Sequence, residues 1–225
     1  MATSPTTRTR PLRRDARENR DKILAAAKEV FAERGLSAGV DVIARRAGVG
    51  TGTLYRHFPS KEALIAAVFE RRLDEVVTLA REAMAVEDPW KAFSGFVEAI
   101  IAQAHEDRGL KDVIAERLGD EYRYAAARQR FGPAIEKLLR RAQEAGAVRQ
   151  DVVFEDFSMI FWSLGELAAT TRDFAPGVWR RYVALSLEGL RTRPEGDTPL
   201  PHPPLTRAQH RCTVAEWVRA RGGQA

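Results

Sequence analysis

The sequence predicts an all-α fold, with a small N-terminal head of three helices and a larger C-terminal helical bundle. Apolar residues recur every three to four positions along most of the chain, which is the spacing of one helix face. Gly and Pro interrupt this pattern at helix-sized intervals, and no segment has the strict alternation typical of a β-strand. At 225 residues, of which 44% are hydrophobic, the chain is long enough to bury a core.

The first two helices are predicted from apolar periodicity and from the residues that end it. An apolar stripe extends between Arg17 and Gly35, which bound the first helix. Residues 1–14 are rich in Thr, Pro and Arg without periodicity, so we expect a disordered basic arm there. A second, short helix is predicted from Val40 to Ala47, because Gly48 follows as a residue suited to a helix end. The residues of the first stripe are Ile23, Leu24, Ala27, Val30 and Phe31.

A third and a fourth helix follow closely. The third is predicted from about Thr51 to Phe58, after a short turn rich in glycine. Pro59 ends it, since proline has no amide hydrogen to donate and clashes with the preceding turn. Ser60 is the expected N-cap of a fourth helix that continues past Val77. Four helices thus fit into the first part of the chain.

We expect the head to comprise residues 15–60 and the bundle residues 61–192. Within the bundle, the segments from about Val153 to Thr171 and from Val178 to Leu190 are apolar on several faces, so each must be covered on several faces. A second copy of the chain is the simplest cover in a small bundle, which predicts a homodimer. The alternative is a central core helix of a monomer. The predicted dimer residues are Phe157, Ile160, Leu164, Leu167, Trp179, Tyr182 and Leu185.

Residues 193–225 are predicted to be a Pro-rich linker without a packing pattern, followed by a short helix from about Arg207 to Arg221. The single cysteine, Cys212, cannot form an intrachain disulfide. We expect a cytoplasmic protein. Residues 1–14 contain no apolar stretch of the kind found in secretory signals, and no apolar run approaches the roughly 18 to 20 residues that span a bilayer.

Positive charge is concentrated at the front of the chain. Residues 1–61 contain 13 Lys and Arg against 6 Asp and Glu, whereas the remainder contains 23 against 25. A basic head on a weakly acidic body suits a protein that binds a polyanion, because Lys and Arg displace counterions from phosphates. The alternative is a basic disordered tail without such a role.

The most informative segment is residues 42–58, in which two short helices flank a tight turn. This arrangement is typical of a helix-turn-helix, whose second helix enters the DNA major groove while the first lies across the backbone. Small residues are needed at the turn and at the groove-facing start of the second helix. Gly48, Gly50 and Gly52 meet this requirement.

Side chains of the predicted third helix have the chemistry to contact DNA. Thr51 and Thr53 offer hydroxyl and methyl groups that can meet base edges, while Tyr55 and His57 can reach phosphates. Leu54 and Phe58 lie four residues apart on the opposite face and are expected to pack this helix against the head. The sequence therefore predicts one face that contacts DNA and one that packs.

An ordered series of short motifs extends from Gly35 to Leu64. The motifs are Ile43-Ala44, Ala47-Gly48-Val49, Gly52-Thr53-Leu54-Tyr55, His57-Phe58 and Lys61-Glu62-Ala63-Leu64. In this order and spacing they resemble the DNA-binding signature of the TetR family of bacterial transcription regulators, over about residues 17–65. The resemblance implies that the recognition helix contacts DNA through Thr51, Gly52, Thr53, Tyr55 and His57. It also implies that Lys61 holds a phosphate, and Arg45 on the second helix can reach a base or a phosphate.

One position departs from the family pattern, and it lies just before the second helix. Gly39 stands where the family often has Ser or Thr, so a hydroxyl that could bind a phosphate is missing, although glycine still caps a helix tolerably. Beyond the head, the resemblance implies that the last two bundle helices form a four-helix dimer interface with the partner. It also implies that an effector in the body moves the fourth helix, which connects the two parts.

The resemblance implies a repressor that binds double-stranded operator DNA of palindromic sequence as a dimer and is released by a small-molecule effector. The alternatives are a regulator that needs no effector and an activator. Aromatic and apolar residues of the bundle are the candidates for lining an effector site, although such residues more often pack in a core. Their abundance favours an aromatic or hydrophobic effector. The candidates are Trp90, Phe93, Phe96, Ile100, Tyr122, Phe131, Phe161 and Trp162.

An enzyme built on a helical bundle is the remaining class to weigh. A di-metal carboxylate protein needs Glu-x-x-His pairs, and none of the four histidines has a glutamate three positions earlier. A Gly-rich phosphate loop, a serine elbow and Cys/His metal spacings are also absent from the sequence. We therefore predict no catalytic residues, no metal and no cofactor.

Overall fold

The computed structural model describes residues 9–106 and 121–222, and their regular secondary structure is helical. This confirms the predicted all-α fold. Among the described residues, no helix is both long enough and apolar enough to cross a membrane. The helices are α1 (Thr9–Arg34), α2 (Val40–Ala47), α3 (Thr51–His57), α4 (Lys61–Met84), α5 (Pro89–Glu106), α6 (Glu121–Glu144), α7 (Phe154–Thr170), α8 (Trp179–Leu190) and α9 (Arg207–Gly222).

Helix α1 begins at Thr9, well before the predicted start at Arg17. Residues 9–14 therefore belong to a helix, and the prediction that they form a disordered arm is wrong. Pro11 does not prevent this, because it lies in the first turn, where an amide hydrogen has no acceptor within the helix. Residues 1–8 of the predicted arm lie outside the described residues.

The ends of α2 and α3 lie close to their predicted positions because each has a local cause. Gly48 follows α2 with a φ of 68°, in the left-handed region that favours glycine. Its amide donates to the Arg45 carbonyl at 3.2 Å. Helix α3 ends at His57, one residue before the predicted end and two before Pro59. Signals within a few residues thus set the helix-turn-helix.

Helix α4 joins the head to the bundle. The Ser60 hydroxyl caps its start by accepting a backbone amide hydrogen at 3.2 Å. Along its length, α4 packs against α5 and α6. Arg130 of α6 donates to the Asp74 carboxylate at 2.6 Å, and Arg141 donates to the Met84 carbonyl at 3.1 Å, at the end of α4 where carbonyls lack helical partners. Helix α4 also packs against α1, so it contacts both the head and the bundle.

The described residues form two clusters of buried side chains, and Phe131 of α6 packs against both. The head is thus packed onto the bundle rather than tethered to it. The head core consists of Ile23, Leu24, Ala26, Ala27, Val30, Phe31, Ala38, Ile43, Ala44, Leu54, Phe58, Leu64, Ile65, Val68, Phe69, Leu73, Ala127 and Val214. The body core consists of Ala80, Ala83, Ala92, Phe93, Phe96, Val97, Ile100, Ile101, Ile135, Leu138, Leu139, Ala142, Val148, Val152, Phe154, Phe157, Leu164, Ala168, Trp179, Val183, Leu187 and Leu190.

The segment between α8 and α9 returns to the bundle. Arg149 donates to both oxygens of the Asp151 carboxylate, at 2.6 and 2.8 Å, and to the Thr198 carbonyl at 2.6 Å. The Pro-rich linker, for which the sequence indicated no packing, is therefore held at Thr198 by a side chain of the bundle. Helix α9 follows at Arg207, as predicted, and ends one residue later than predicted, at Gly222.

Candidate nucleic-acid interface and adjoining cavity

Helix α3 has one outward and one inward face. Thr51 and Gly52 at its start are exposed, and Tyr55, one turn later, is 45% exposed. Leu54 points the other way and is 0% exposed. Positions i, i+1 and i+4 share one side of a helix, so the small and polar residues are presented together. This is the kind of surface that a helix needs in order to enter a major groove.

Two predicted contacts lie at the flanks of that face. Thr53 and His57 are half-buried. Arg56, which is not among the predicted contacts, is exposed beside them and donates from Nη2 to the Thr53 hydroxyl oxygen at 3.0 Å. Arg56 lies four residues after Gly52, which places both on the same side of the helix. This spacing is the sequence signal that could have identified Arg56 as outward-facing. Arg56 adds a cation to the face and orients the Thr53 hydroxyl.

The inward face of α3 is anchored in the head core through Leu54 and Phe58. The Phe58 amide donates to the Leu54 carbonyl at 2.8 Å. The guanidinium of Arg20, on α1, lies 4.5 Å from the centre of the Phe58 ring, within the range of a cation–π interaction. Together these contacts determine which side of α3 faces outward.

The adjacent arginines of α2 have different surroundings. The side chain of Arg45 is 82% exposed and lies 3.9 Å from the Asp41 carboxylate. Arg46 turns to α1, where it donates to the Glu29 carboxylate at 3.1 Å and to both oxygens of Glu33 at 2.9 and 2.8 Å. The hydrogen bond from Arg46 holds the pKa of Glu33 below its usual range. Arg45 is thus available to a ligand, while Arg46 ties α2 to α1.

The starts of α4 and α2 hold the remaining features predicted in the head. Lys61 is half-buried at the first position of α4, directly after the Ser60 cap. Gly39 precedes α2 in an extended conformation and makes no side-chain cap. The hydroxyl that the family often has here is absent, so the backbone of α2 begins without a side-chain partner at this position.

A cavity of about 100 Å³ lies between α4, α5, α6 and α7. Its wall is largely aromatic and aliphatic, with Arg72, Gln103 and Ser158 as the polar side chains. Arg72 is buried and forms an ion pair with Glu75, one helical turn further along α4. An apolar cavity with few polar groups is the usual form of a small-molecule site. The lining residues are Phe69, Arg72, Leu73, Val76, Ile100, Gln103, Phe131, Ile135, Phe154, Phe157, Ser158, Phe161 and Trp162.

Four of the residues predicted to bind a ligand line this cavity, namely Ile100, Phe131, Phe161 and Trp162. The others lie elsewhere. Phe93 and Phe96 pack in the body core and do not line this cavity, so their prediction as cavity residues is corrected. Trp90 lies at a separate surface cleft with the Arg191 guanidinium 4.9 Å from its ring centre. The side chain of Tyr122 lies outside the described residues.

The cavity also contains residues that were not predicted, and the most important belong to α4. Phe69, Leu73 and Val76 line it, although the sequence indicates only a connector there. Their spacing of three and four residues shows a single apolar face, which periodicity could have revealed. Periodicity does not show that this face lines a cavity, because that depends on where α5, α6 and α7 lie.

The predicted dimer residues divide into two groups. Phe157, Leu164 and Trp179 are buried in the body core of their own protomer. They have almost no surface left for a partner, so the prediction that they form the interface is wrong. Tyr182 and Leu185 on α8 are exposed, Leu185 by 57%. Ile160 and Leu167 of α7 are half-buried. An outward apolar face therefore remains on these two helices.

Comparison with known proteins gives matches over most of the chain. The family described as bacterial regulatory proteins of the tetR family matches residues 23–68, and the C-terminal domain of SbtR-like transcriptional regulators matches residues 88–192. The first of these matches contains α2 and α3 entirely.

Named relatives and a solved structure agree with these matches. The transcriptional activator FasR of Mycolicibacterium smegmatis is 47% identical over 192 residues, which cover 81% of this chain and 75% of FasR. The transcriptional repressor KstR2 of Rhodococcus jostii is 28% identical over 190 residues, covering 76% of this chain and 90% of KstR2. The crystal structure of a TetR transcription regulatory protein from Mycobacterium vanbaalenii has a TM-score of 0.61 and 39% identity, covering 81% of this chain and 100% of that one. The chain therefore belongs to the TetR family, and it is a DNA-binding transcription regulator rather than an enzyme.

Proposed function

We propose that this regulator binds a palindromic operator as a homodimer in the cytoplasm, and that a hydrophobic small molecule in the cavity releases it. In this proposal residues 15–60 form the operator-binding head and residues 61–192 the effector-binding and dimerising bundle. The observation that carries operator binding is the two-sided surface of α3, which exposes Thr51, Gly52 and Tyr55 and buries Leu54. The proposed contacts are Arg45, Thr51, Gly52, Thr53, Tyr55, His57 and Lys61, together with Arg56.

Dimerisation follows from the geometry of DNA. Two half-sites of a palindrome lie one helical turn apart, about 34 to 36 Å, and each needs its own recognition helix. The exposed side chains of Tyr182 and Leu185 on α8, together with the half-buried Ile160 and Leu167 on α7, support a partner-binding face on these two helices. A second protomer would cover this apolar surface.

The size of the cavity supports a release mechanism. Small-molecule sites usually enclose about 300 to 1,000 Å³, whereas this cavity encloses about 100 Å³. A molecule of ordinary size must therefore displace the walls. One wall is the face of α4 that carries Phe69, Leu73 and Val76, and the start of the same helix packs in the head core at Leu64. Displacing α4 moves the head, and a change of a few ångströms between recognition helices weakens binding to two fixed half-sites.

Repression is the proposed outcome of operator binding, and activation is the second candidate. The relative named as a repressor, KstR2, supports the first, and the relative named as an activator, FasR, supports the second. An operator selected from a random pool of DNA duplexes, placed at a promoter and transcribed in vitro, separates them. Repression lowers the amount of transcript when the regulator is added, whereas activation raises it.

The assignment of the cavity as the effector site is tested with two neighbouring variants of α4. Val76 lines the cavity and Val77 does not, and both are half-buried. Val76→Phe should fill the cavity and abolish the binding of 1-anilinonaphthalene-8-sulfonate, a hydrophobic fluorescent probe, while operator binding in a gel-shift assay persists. Val77→Phe is the matched control. Equal probe binding by both variants and the unaltered protein would overturn the assignment of the cavity as the effector site.

A further inference from the structure

Helix α9 lies beyond residues 88–192, the C-terminal domain match, yet it is built into the fold. Its start is fixed by a capping box: the Gln209 amide donates to the Thr206 hydroxyl at 3.3 Å, and the Thr206 amide donates to the Gln209 side chain at 2.9 Å. Arg149 holds the preceding segment at the Thr198 carbonyl. The helix is therefore positioned by specific contacts.

One face of α9 is turned inward. His210, Val214 and Trp217 lie at positions i, i+4 and i+7, which share a side of a helix. His210 is 1% exposed, Val214 is 2% exposed and belongs to the head core, and Trp217 is half-buried. In contrast, Cys212 and Thr213 between them are exposed. The inward face thus consists of two rings with an aliphatic side chain between them.

These two rings contact side chains that line the cavity. The ring centre of Trp217 lies 4.7 Å from that of Trp162, and the ring centre of His210 lies 6.3 Å from that of Phe154, with the two ring planes at 67°. Both Trp162 and Phe154 line the cavity. The inward face of α9 therefore stands directly behind part of the cavity wall.

We propose that α9 determines how tightly the cavity holds its ligand and how large a ligand it admits, by supporting Trp162 through Trp217 and Phe154 through His210. The proposal rests on the proposed effector function. Because the cavity must enlarge to admit a ligand, its capacity depends on how firmly each part of its wall is held from behind. The part formed by Phe154 and Trp162 of α7 is backed by α9, which is joined to α8 by the non-helical residues 191–206. Helix α9 can shift without bending a bundle helix.

Trp217 is a positioning residue in this proposal, because it acts on the ligand through Trp162. An aromatic pair couples two side chains by an amount that corresponds to roughly a two- to tenfold change in an equilibrium or rate constant. Trp217→Ala should therefore speed the dissociation of 1-anilinonaphthalene-8-sulfonate from the full-length protein by roughly this factor. It should also allow the larger dimeric probe, bis-anilinonaphthalene sulfonate, to enter. Trp217→Phe should restore most of the slow dissociation.

Two controls separate support of the cavity from general destabilisation. Cys212→Ala changes an exposed residue of the same helix and should leave both probes unaffected. Leu187→Ala removes a buried side chain of the body core on α8, which is not among the cavity residues. It should lower the melting temperature without changing probe dissociation. Stopped-flow fluorescence measures the rates, and thermal denaturation measures the stability.

The outcomes distinguish the proposal from the function on which it rests. If the unaltered protein does not bind the probe, or if Val76→Phe does not block binding, both the effector site and the role of α9 are overturned. If Val76→Phe blocks binding while Trp217→Ala leaves dissociation and probe size unchanged, only the role of α9 is overturned. Faster dissociation in Leu187→Ala, equal to that in Trp217→Ala, also overturns it, because stability alone would then explain the effect.

Discussion

Neighbouring residues of α3 should separate folding from operator binding. Leu54 is fully buried in the head core, whereas Tyr55 is 45% exposed on the outward face. Leu54→Ala leaves a cavity in the core and should lower the free energy of unfolding by about 2 to 5 kcal/mol. Tyr55→Ala removes an exposed side chain and should change it by no more than about 0.5 kcal/mol.

Operator affinity should respond in the opposite order. If Tyr55 donates to a phosphate, its removal eliminates a hydrogen bond to a charged group, about 1.5 to 3 kcal/mol per protomer. That corresponds to roughly a 10- to 150-fold reduction of affinity at each half-site. Leu54→Ala, studied at a temperature at which the head remains folded, keeps the outward face and should reduce affinity much less.

The measurements are urea denaturation for stability and a gel-shift titration for affinity, with an operator selected from random duplexes. Sedimentation velocity checks that the association state of both variants equals that of the unaltered protein. Undiminished operator affinity of Tyr55→Ala would refute the assignment of the outward face of α3. Loss of stability in Tyr55→Ala as large as in Leu54→Ala would refute the separation of the two faces.

Other variants test the arginines of α2, the buried histidine of α9 and the outward face of α8. Arg45→Ala should reduce the slope of log affinity against log salt concentration by about 0.9 for each phosphate that the side chain neutralises. Arg46→Ala should weaken operator binding without changing this slope. The same slope in both variants would contradict the different roles of the two arginines. Burial lowers the pKa of His210 below its ordinary value of 6.5, so the unfolded chain takes up a proton that the folded one resists, and the free energy of unfolding should fall as the pH drops below 6.5. His210→Phe should remove the contribution of this histidine and so weaken that dependence, whereas the exposed control His202→Gln should leave it unchanged. Leu185→Glu places a charge on the outward face of α8 and should shift a dimer toward monomers in sedimentation velocity; an unchanged association state would argue against this face.

Much of the head could be predicted because its signals act over a few residues. Gly48 ends α2 through a backbone conformation that side chains disfavour, and Ser60 starts α4 through a hydrogen bond to a nearby amide. The arrangement of outward-facing and buried residues on α3 follows from helix periodicity alone. The misplaced start of α1 is the exception, since its first turn has the Thr, Pro and Arg composition of a flexible arm.

The cavity and the dimer face could not be predicted in the same way. Periodicity shows that a side chain is covered, but not which surface covers it. Phe96 and Phe161 are both aromatic residues of apolar helices, yet one packs in the body core and the other lines the cavity. Trp179 lies in the core of its own protomer although it belongs to a helix predicted to meet a partner.

The sequence by itself determined the helical class, the concentration of positive charge in the head and the two faces of the recognition helix. Only the tertiary structure decided that Arg46 binds α1 instead of remaining exposed as Arg45 does, and that Trp217 returns to the cavity wall at Trp162. The physical reason is the separation in sequence between the residues that interact. Capping and periodicity depend on residues within about one or two turns, whereas a cavity exists only where side chains distant in sequence fail to fill the space between them.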